Sequence, residues 1–180
     1  VHIGNPKLEL MRSNVSISES GDGILYIPTR LKYEQARKSL DWFSKLATKN
    51  EWNITYKPHP KDDPTELVEN YSIQPEQIVA DESLHDLIGT SKIVVGFRST
   101  GLIDAIALDR VTLQLNPSEA PEDWTKIGLL GGRDEESISS KINRLLSDEQ
   151  YYQRALNNQK QLRESLFGDL DNASEKISDL

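Results

Sequence analysis

Ile93-Val94-Val95-Gly96-Phe97-Arg98-Ser99-Thr100-Gly101-Leu102 is the stretch on which the reading of the fold turns. Its first half is apolar without alternation, the mark of a strand covered on both faces. The composition then changes abruptly to a cation, two hydroxyls and a glycine, and from Ser99 the spacing predicts a helix through Leu108. A doubly covered strand that runs straight into a helix belongs to a parallel sheet, because parallel neighbours need a crossover and a helix is the usual one.

Upstream, Ile24-Leu25-Tyr26-Ile27-Pro28-Thr29 follows Gly21-Asp22-Gly23 and ends at a proline, the pattern of another buried strand. Tyr33, Ala36, Leu40, Phe43, Leu46 and Ala47 then recur at helical spacing, and Asn50 closes that helix. Trp52, Ile54 and Tyr56 alternate with polar residues and predict a strand that must stop at Lys57-Pro58-His59-Pro60. Shorter pieces follow: a helix over 64–71, a strand over 77–80, and a helix from Ser83, whose hydroxyl is expected to cap it with Asp86 three residues on. Downstream, 111–115 reads as a strand, and after a loop of about 15 residues helices are expected over 135–146 and 149–167. The fold class is α/β: a Rossmann-like parallel sheet of about five strands with helices on both faces, closed by C-terminal helices. Residues 1–22 stand outside this rhythm and read as an interdomain linker or the end of a missing N-terminal domain. Residues 23–167 make the α/β domain, and 168–180 a polar tail.

At 180 residues the chain is the size of one domain with one core. A formal charge of -8 excludes a general nucleic-acid binder, which needs lysine and arginine clustered across a face. No cysteine is present, so disulfides, thiolate metal sites and cysteine nucleophiles are excluded, and a reducing cytoplasm fits. The sequons at Asn14, Asn53 and Asn172 come without a signal peptide and read as chance. No run approaches the roughly 20 apolar residues that span a bilayer. The expected location is therefore cytoplasmic, with a peripheral position at the inner face of the membrane left open. A start at Val1 instead of methionine fits a piece cut from a longer protein.

Ligands of doubly wound sheets bind beyond the carboxyl ends of the strands. Here those ends carry Pro28-Thr29-Arg30, Lys57-Pro58-His59-Pro60-Lys61 and Arg98-Ser99-Thr100-Gly101. Arg30, Lys57, His59, Lys61 and Arg98 on one edge of an acidic protein read as an anion site. Ser99-Thr100-Gly101 at a helix start adds backbone N–H groups suited to phosphate, although Ser99 can equally be an N-cap alone and Gly101 a packing residue. His59, fixed between two prolines, is either a ligand contact or a turn residue. Asp104, just over one turn into the same helix, is placed to accept from ribose hydroxyls or to serve as an ordinary first-turn acid. His2 and His85 read as structural or surface residues. No histidine pair has metal-ligand spacing, and Asp62-Asp63 and Glu135-Glu136 read as solvated acids. No tightly bound cofactor is expected, and a divalent cation shared with a diphosphate stays open. Gly128-Leu129-Leu130-Gly131-Gly132-Arg133 reads as a glycine-rich loop, either approaching a ligand or simply turning.

In this order Ile-Leu-Tyr-Ile-Pro-Thr-Arg (24–30), Lys-Pro-His-Pro (57–60) and Ser-Thr-Gly-Leu-Ile-Asp-Ala (99–105) resemble the C-terminal, donor-binding domain of GT-B glycosyltransferases. The nearest groups are bacterial capsule and sialic-acid polymer transferases, teichoic-acid CDP-glycerol glycerophosphotransferases and UDP-N-acetylglucosamine 2-epimerases. The resemblance implies phosphate contacts at His59, Ser99 and Thr100, a ribose contact at Asp104, and a nucleotide site that also includes Thr29, Arg30, Arg98 and Gly101. Gly4-Asn5-Pro6 resembles the segment that closes the N-terminal domain of related enzymes, which implies that half as partner and as the source of the acceptor-activating base. The catalytic residues stay unassigned. The epimerases carry Gly-Gly and paired acids after the serine where this chain has Thr100 and Ala105, and the glycerophosphotransferases carry an acid where it has Arg98. The implied function is to bind the nucleotide-sugar donor of a bacterial glycosyltransferase in surface polysaccharide synthesis. The alternatives are a CDP-alcohol phosphotransferase or nucleotide-sugar epimerase domain, and, from another class, a non-catalytic nucleotide-sensing or protein-interaction module.

Overall fold

The structure is a computed structural model that describes residues 6–18, 21–71, 73–116, 123–168 and 170. His2, Gly4-Asn5, Asn172 and nearly all of the expected tail lie outside the described residues.

Five strands, β1 (Asp22–Ile27), β2 (Ile54–Tyr56), β3 (Ser91–Gly96), β4 (Val111–Leu115) and β5 (Leu130–Gly132), form one parallel sheet in the order β2-β1-β3-β4-β5. Ile24 pairs with Ile54 on one side and Ile93 on the other, so β1 and β3 lie side by side in the middle. Around the sheet stand α1 (Pro6–Asn14), α2 (Glu34–Lys49), α3 (Thr65–Tyr71), α4 (Leu84–Thr90), α5 (Gly101–Ala107), α6 (Glu135–Ser147) and α7 (Glu149–Phe167).

Strand alternation divides the core in two. Ile24, Tyr26, Ile93 and Val95 pack with Leu40 and Phe43 of α2 and Ile138 and Ile142 of α6, whereas Leu25, Ile27 and Val94 pack with Ile88 of α4 and Leu102 of α5. The Tyr26 and Phe43 rings stack with centroids 4.9 Å apart. Each large apolar side chain taken out of water here contributes about 1.5–3 kcal/mol, which explains why seven-residue helices such as α4 and α5 are stable at all.

Four elements differ from the sequence reading. The expected strand over 77–80 reduces to a single bridge between Ile78 and Tyr56, because Pro75–Gln77 is a 3₁₀ turn closed by reciprocal Gln74 and Gln77 hydrogen bonds. The fifth strand is instead Leu130–Gly132, within the stretch read as a glycine-rich loop. A Cβ at Gly131 would lie 2.5 Å from the Gln114 carbonyl oxygen, so only glycine permits β5 to reach β4. Ser83 precedes α4 but its hydroxyl caps nothing. Finally, the segment read as an interdomain linker or the end of a missing N-terminal domain, for which no helix is expected, holds α1, whose Leu8 is buried with Ala107 and Leu170.

Asp109, in left-handed backbone at φ 53, ties both ends of the fold to the turn after α5. Its Oδ2 accepts from Arg12 of α1 at 3.0 Å and from Arg163 of α7 at 2.7 Å. Helix α7 also completes the sheet. Because β5 pairs with β4 only from Leu113 onward, the start of β4 lacks a strand on that side. The buried Gln159 fills the gap: its Oε1 accepts from the Thr112 N–H at 2.7 Å and its Nε2 donates to the Arg110 carbonyl.

Replacing that amide leaves the buried Thr112 N–H unpaired, at a cost of about 1–3 kcal/mol, and takes one donor from the Arg110 carbonyl, which keeps the Thr112 hydroxyl at 2.7 Å. Gln159→Leu is therefore expected to lower the unfolding free energy by at least about 1 kcal/mol in a urea titration, with the slope unchanged. A loss below about 0.5 kcal/mol, the usual scatter of a surface change, would show that the amide closes no part of the sheet.

Candidate functional site

All strands run the same way, so their carboxyl ends share one edge, and the order reverses between β1 and β3. From that point the chain leaves β1 for α2 on one face and leaves β3 for α5 on the other, which opens a crevice at the switch. A hollow of about 440 Å³ occupies it, lined by Thr29, Tyr33, Glu34, Gln35, Phe97 and Arg98.

Two expected site residues meet there. The Thr29 hydroxyl donates to the Phe97 carbonyl and so ties the exit of β1 to that of β3. Arg98 adopts left-handed backbone at φ 48, which is costly for any residue with a Cβ. Its guanidinium lies 3.4 Å from Gln35 Oε1 and 5.9 Å from the Phe97 ring centre.

Helix α5 begins at Gly101, and neither the Ser99 nor the Thr100 side chain caps it. The Leu102 and Ile103 N–H groups instead donate to the carbonyls of Ser99 and Thr100 at 3.0 and 2.9 Å. Gly101 is buried between Ile27 and Leu84, and a Cβ there would come within 3.2 Å of both, so its packing role is real whatever else it does.

The other positions separate. His59 is half-buried on the loop after β2, one strand away from the crevice. Its Nδ1 accepts from the Lys61 N–H at 3.1 Å, which leaves the proton on Nε2 as a donor. Arg30 turns into a broader groove of about 930 Å³ between α2 and α3, with its Nε 3.9 Å from Asp62 Oδ1. Lys61 lines that groove too. Lys57 is not a surface cation: its stem is buried and its ammonium donates to the Ala80 carbonyl. Asp104 Oδ2 lies 3.3 Å from Nε2 of His85, which reads from the sequence as a structural or surface residue. The signal available was that α4 and α5 both begin at the ligand edge. Tyr33, Glu34, Gln35 and Phe97 were also missed, because a crevice wall is made by the switch in strand order and not by a motif.

No protein-family model matches the chain, and no curated protein sequence does. Solved structures do. A putative UDP-N-acetylglucosamine 2-epimerase from Listeria monocytogenes aligns with a TM-score of 0.64 and 14% identity over 98% of this chain and 51% of that one. The shared fold is α/β and Rossmann-like, consistent with GT-B. The wall teichoic acid polymerase TagF, as its H444N variant, aligns at TM-score 0.55 and 13% identity over 95% of this chain and 45% of that one. The glycosyltransferase SnogD from Streptomyces nogalater aligns at 0.53 and 12%, over 89% and 44%. The chain thus spans about half the length of these proteins.

At the far end of the same sheet edge, Asp123 caps the 3₁₀ turn Trp124–Ile127. Its side chain is 2% exposed, and it accepts from the Thr125 N–H at 3.1 Å, from the Thr125 hydroxyl, and from Arg133 at 2.7 Å. These hydrogen bonds, the hydroxyl's first, outweigh burial and hold the carboxyl down at about 2. Among the described residues no three His, Cys, Asp or Glu side chains gather to hold a metal ion, and no helix is long and apolar enough to cross a membrane.

A carboxyl depressed from 3.8 to about 2 binds its proton more readily in the unfolded chain. Its stabilising effect is fully present above the unfolded value and is lost as pH falls through the folded one. Asp123→Asn is expected to be less stable at neutral pH and to lose stability less steeply between about pH 4 and pH 2 than the parent, read from thermal midpoints across that range. Parallel curves for the two proteins would contradict this.

Proposed function

We propose that this chain holds the nucleotide-sugar donor of a bacterial glycosyltransferase that builds surface polysaccharide. The observation that carries the reading is the hollow at the β1–β3 switch, walled by Thr29, Phe97 and Arg98 in a fold shared with nucleotide-sugar enzymes. In this reading the phosphates lie against the start of α5, contacted by Ser99, Thr100 and the backbone of Gly101, with Arg98 supplying charge. His59 donates from Nε2, the nitrogen its bond to Lys61 leaves available for a ligand. Asp104 accepts from the ribose. Arg30, held toward Asp62, acts as a cation at the margin. A divalent cation bridging a diphosphate is compatible with this arrangement, and the domain works in the cytoplasm or at the inner face of the membrane.

Because the chain spans about half of each similar structure, donor binding and not turnover is its expected activity. Acceptor activation needs a base brought across the cleft by a second half. Donor affinity without that half is expected to be modest, on the order of 10 μM to 1 mM. The epimerase and teichoic-acid polymerase folds support two neighbouring readings, nucleotide-sugar epimerisation and CDP-alcohol transfer, which product analysis of the two-domain protein separates. A protein-interaction module would bind a partner and no nucleotide.

Calorimetry with CMP, CDP, UDP and GDP is expected to find one that binds, and nuclear magnetic resonance to show it shifting Thr29, His59, Ser99 and Asp104. Ser99→Ala should weaken that binding by about 0.5–1.5 kcal/mol, one hydrogen bond's net worth, with thermal stability little changed. His59→Ala should cost a similar amount, and His59→Gln, which keeps a donor at comparable reach, should recover part of it. Binding by none of the four, or shifts confined to other residues, would overturn the site.

A further inference from the structure

Helices α4 and α5 start at the same edge of the sheet, and Leu84 packs so closely on Gly101 that a Cβ there would lie 3.2 Å from its Cδ2. This contact sets His85, the next residue, opposite Asp104, one turn into α5. The His85 Nε2 and Asp104 Oδ2 atoms are 3.3 Å apart, and Asp104 Oδ1 takes no partner among the described residues. Both side chains keep solvent access, at 41% and 29% exposure, so as an ion pair they add little to stability. On its other side His85 lines a shallow hollow with Lys7 and Met11 of α1 and Asp86 of its own helix.

We propose that His85 is a positioning residue for the nucleotide's ribose: it holds one oxygen of Asp104, so that the other presents to a sugar hydroxyl in a fixed direction. This rests on the assignment of Asp104 to the ribose. A short carboxylate on a helix rotates freely about its own side-chain bonds, and an acceptor that samples several directions discriminates poorly between a ribose and a sugar lacking a hydroxyl. A donor fixed on the neighbouring helix removes that freedom before the ligand arrives. It also gives a role to a half-exposed histidine on a helix that Leu84, Leu87 and Ile88 already pack onto the core.

The test measures a preference and not an affinity alone. The tightest binder among CMP, CDP, UDP and GDP is compared by calorimetry with its 2′-deoxy and 3′-deoxy counterparts, on the parent, His85→Ala, His85→Gln and Asp104→Asn. The parent should favour the ribonucleotide over at least one deoxy form, and His85→Ala and Asp104→Asn should each shrink that preference by about threefold to tenfold, the range of one hydrogen bond. His85→Gln, able to donate to the same oxygen, should restore most of it. A role confined to pinning α4 on α5 would weaken all three ligands equally in His85→Ala and leave the ratios unchanged, which overturns the proposal while the nucleotide site stands. If none of the four nucleotides binds the parent, the donor-site reading falls and this inference with it.

Discussion

The pairing of β1 with β3 is the constraint on which the rest depends. These strands are consecutive neighbours in the sheet yet far apart in sequence, and they run together from Asp22 and Ser91 to Ile27 and Gly96. A Cβ at Gly96 would stand 2.6 Å from the Ile27 carbonyl oxygen, so the approach at the ligand end requires glycine there. Beyond it the two chains part toward opposite faces, and the Thr29 hydroxyl on the Phe97 carbonyl ties them where they part. The crevice is a consequence of strand order before it is a consequence of any side chain.

Charge at this edge is governed by a second economy. The chain is acidic overall, and the cations that a reading of strand ends would count toward a ligand are largely committed within the fold. Lys57 supports the Ala80 carbonyl, Arg30 leans on Asp62, and Arg133 is held by Asp123. Arg98 is oriented differently: its backbone is in the left-handed region and its head group reaches across the hollow toward Gln35. Strain of this kind persists where surrounding packing enforces it, and it is found disproportionately at binding sites.

The sequence made the inner strands legible because β1 and β3 are covered on both faces and carry apolar runs, while β4, equally buried, shows Val111, Leu113 and Leu115 at every second position. It hid β5, since Leu130-Gly131-Gly132 offers no run and owes its place to the absence of side chains. It hid α1 as well: Pro6–Asn14 is polar, and its docking depends on Leu8 and on Arg12 reaching Asp109, which is distant in sequence. At the site, Thr29 and Arg98 were accessible because strand ends can be counted. The direction of a long side chain such as Arg30 or Lys57, and the meeting of His85 with Asp104 across two helices, are tertiary facts with no local pattern.

The sheet ends on both sides in a three-residue strand, β2 and β5, and Gln159 occupies the start of β4, where no strand of the sheet pairs on that side, with side-chain amide groups. An edge this short offers an extended peptide few rungs on which to add itself, and the one longer stretch is already stoppered. The domain therefore resists lateral growth by strand addition, the route to fibrils and swapped dimers. Any second half or oligomeric neighbour is accordingly expected to meet it through loops and helix faces and not by adding a strand.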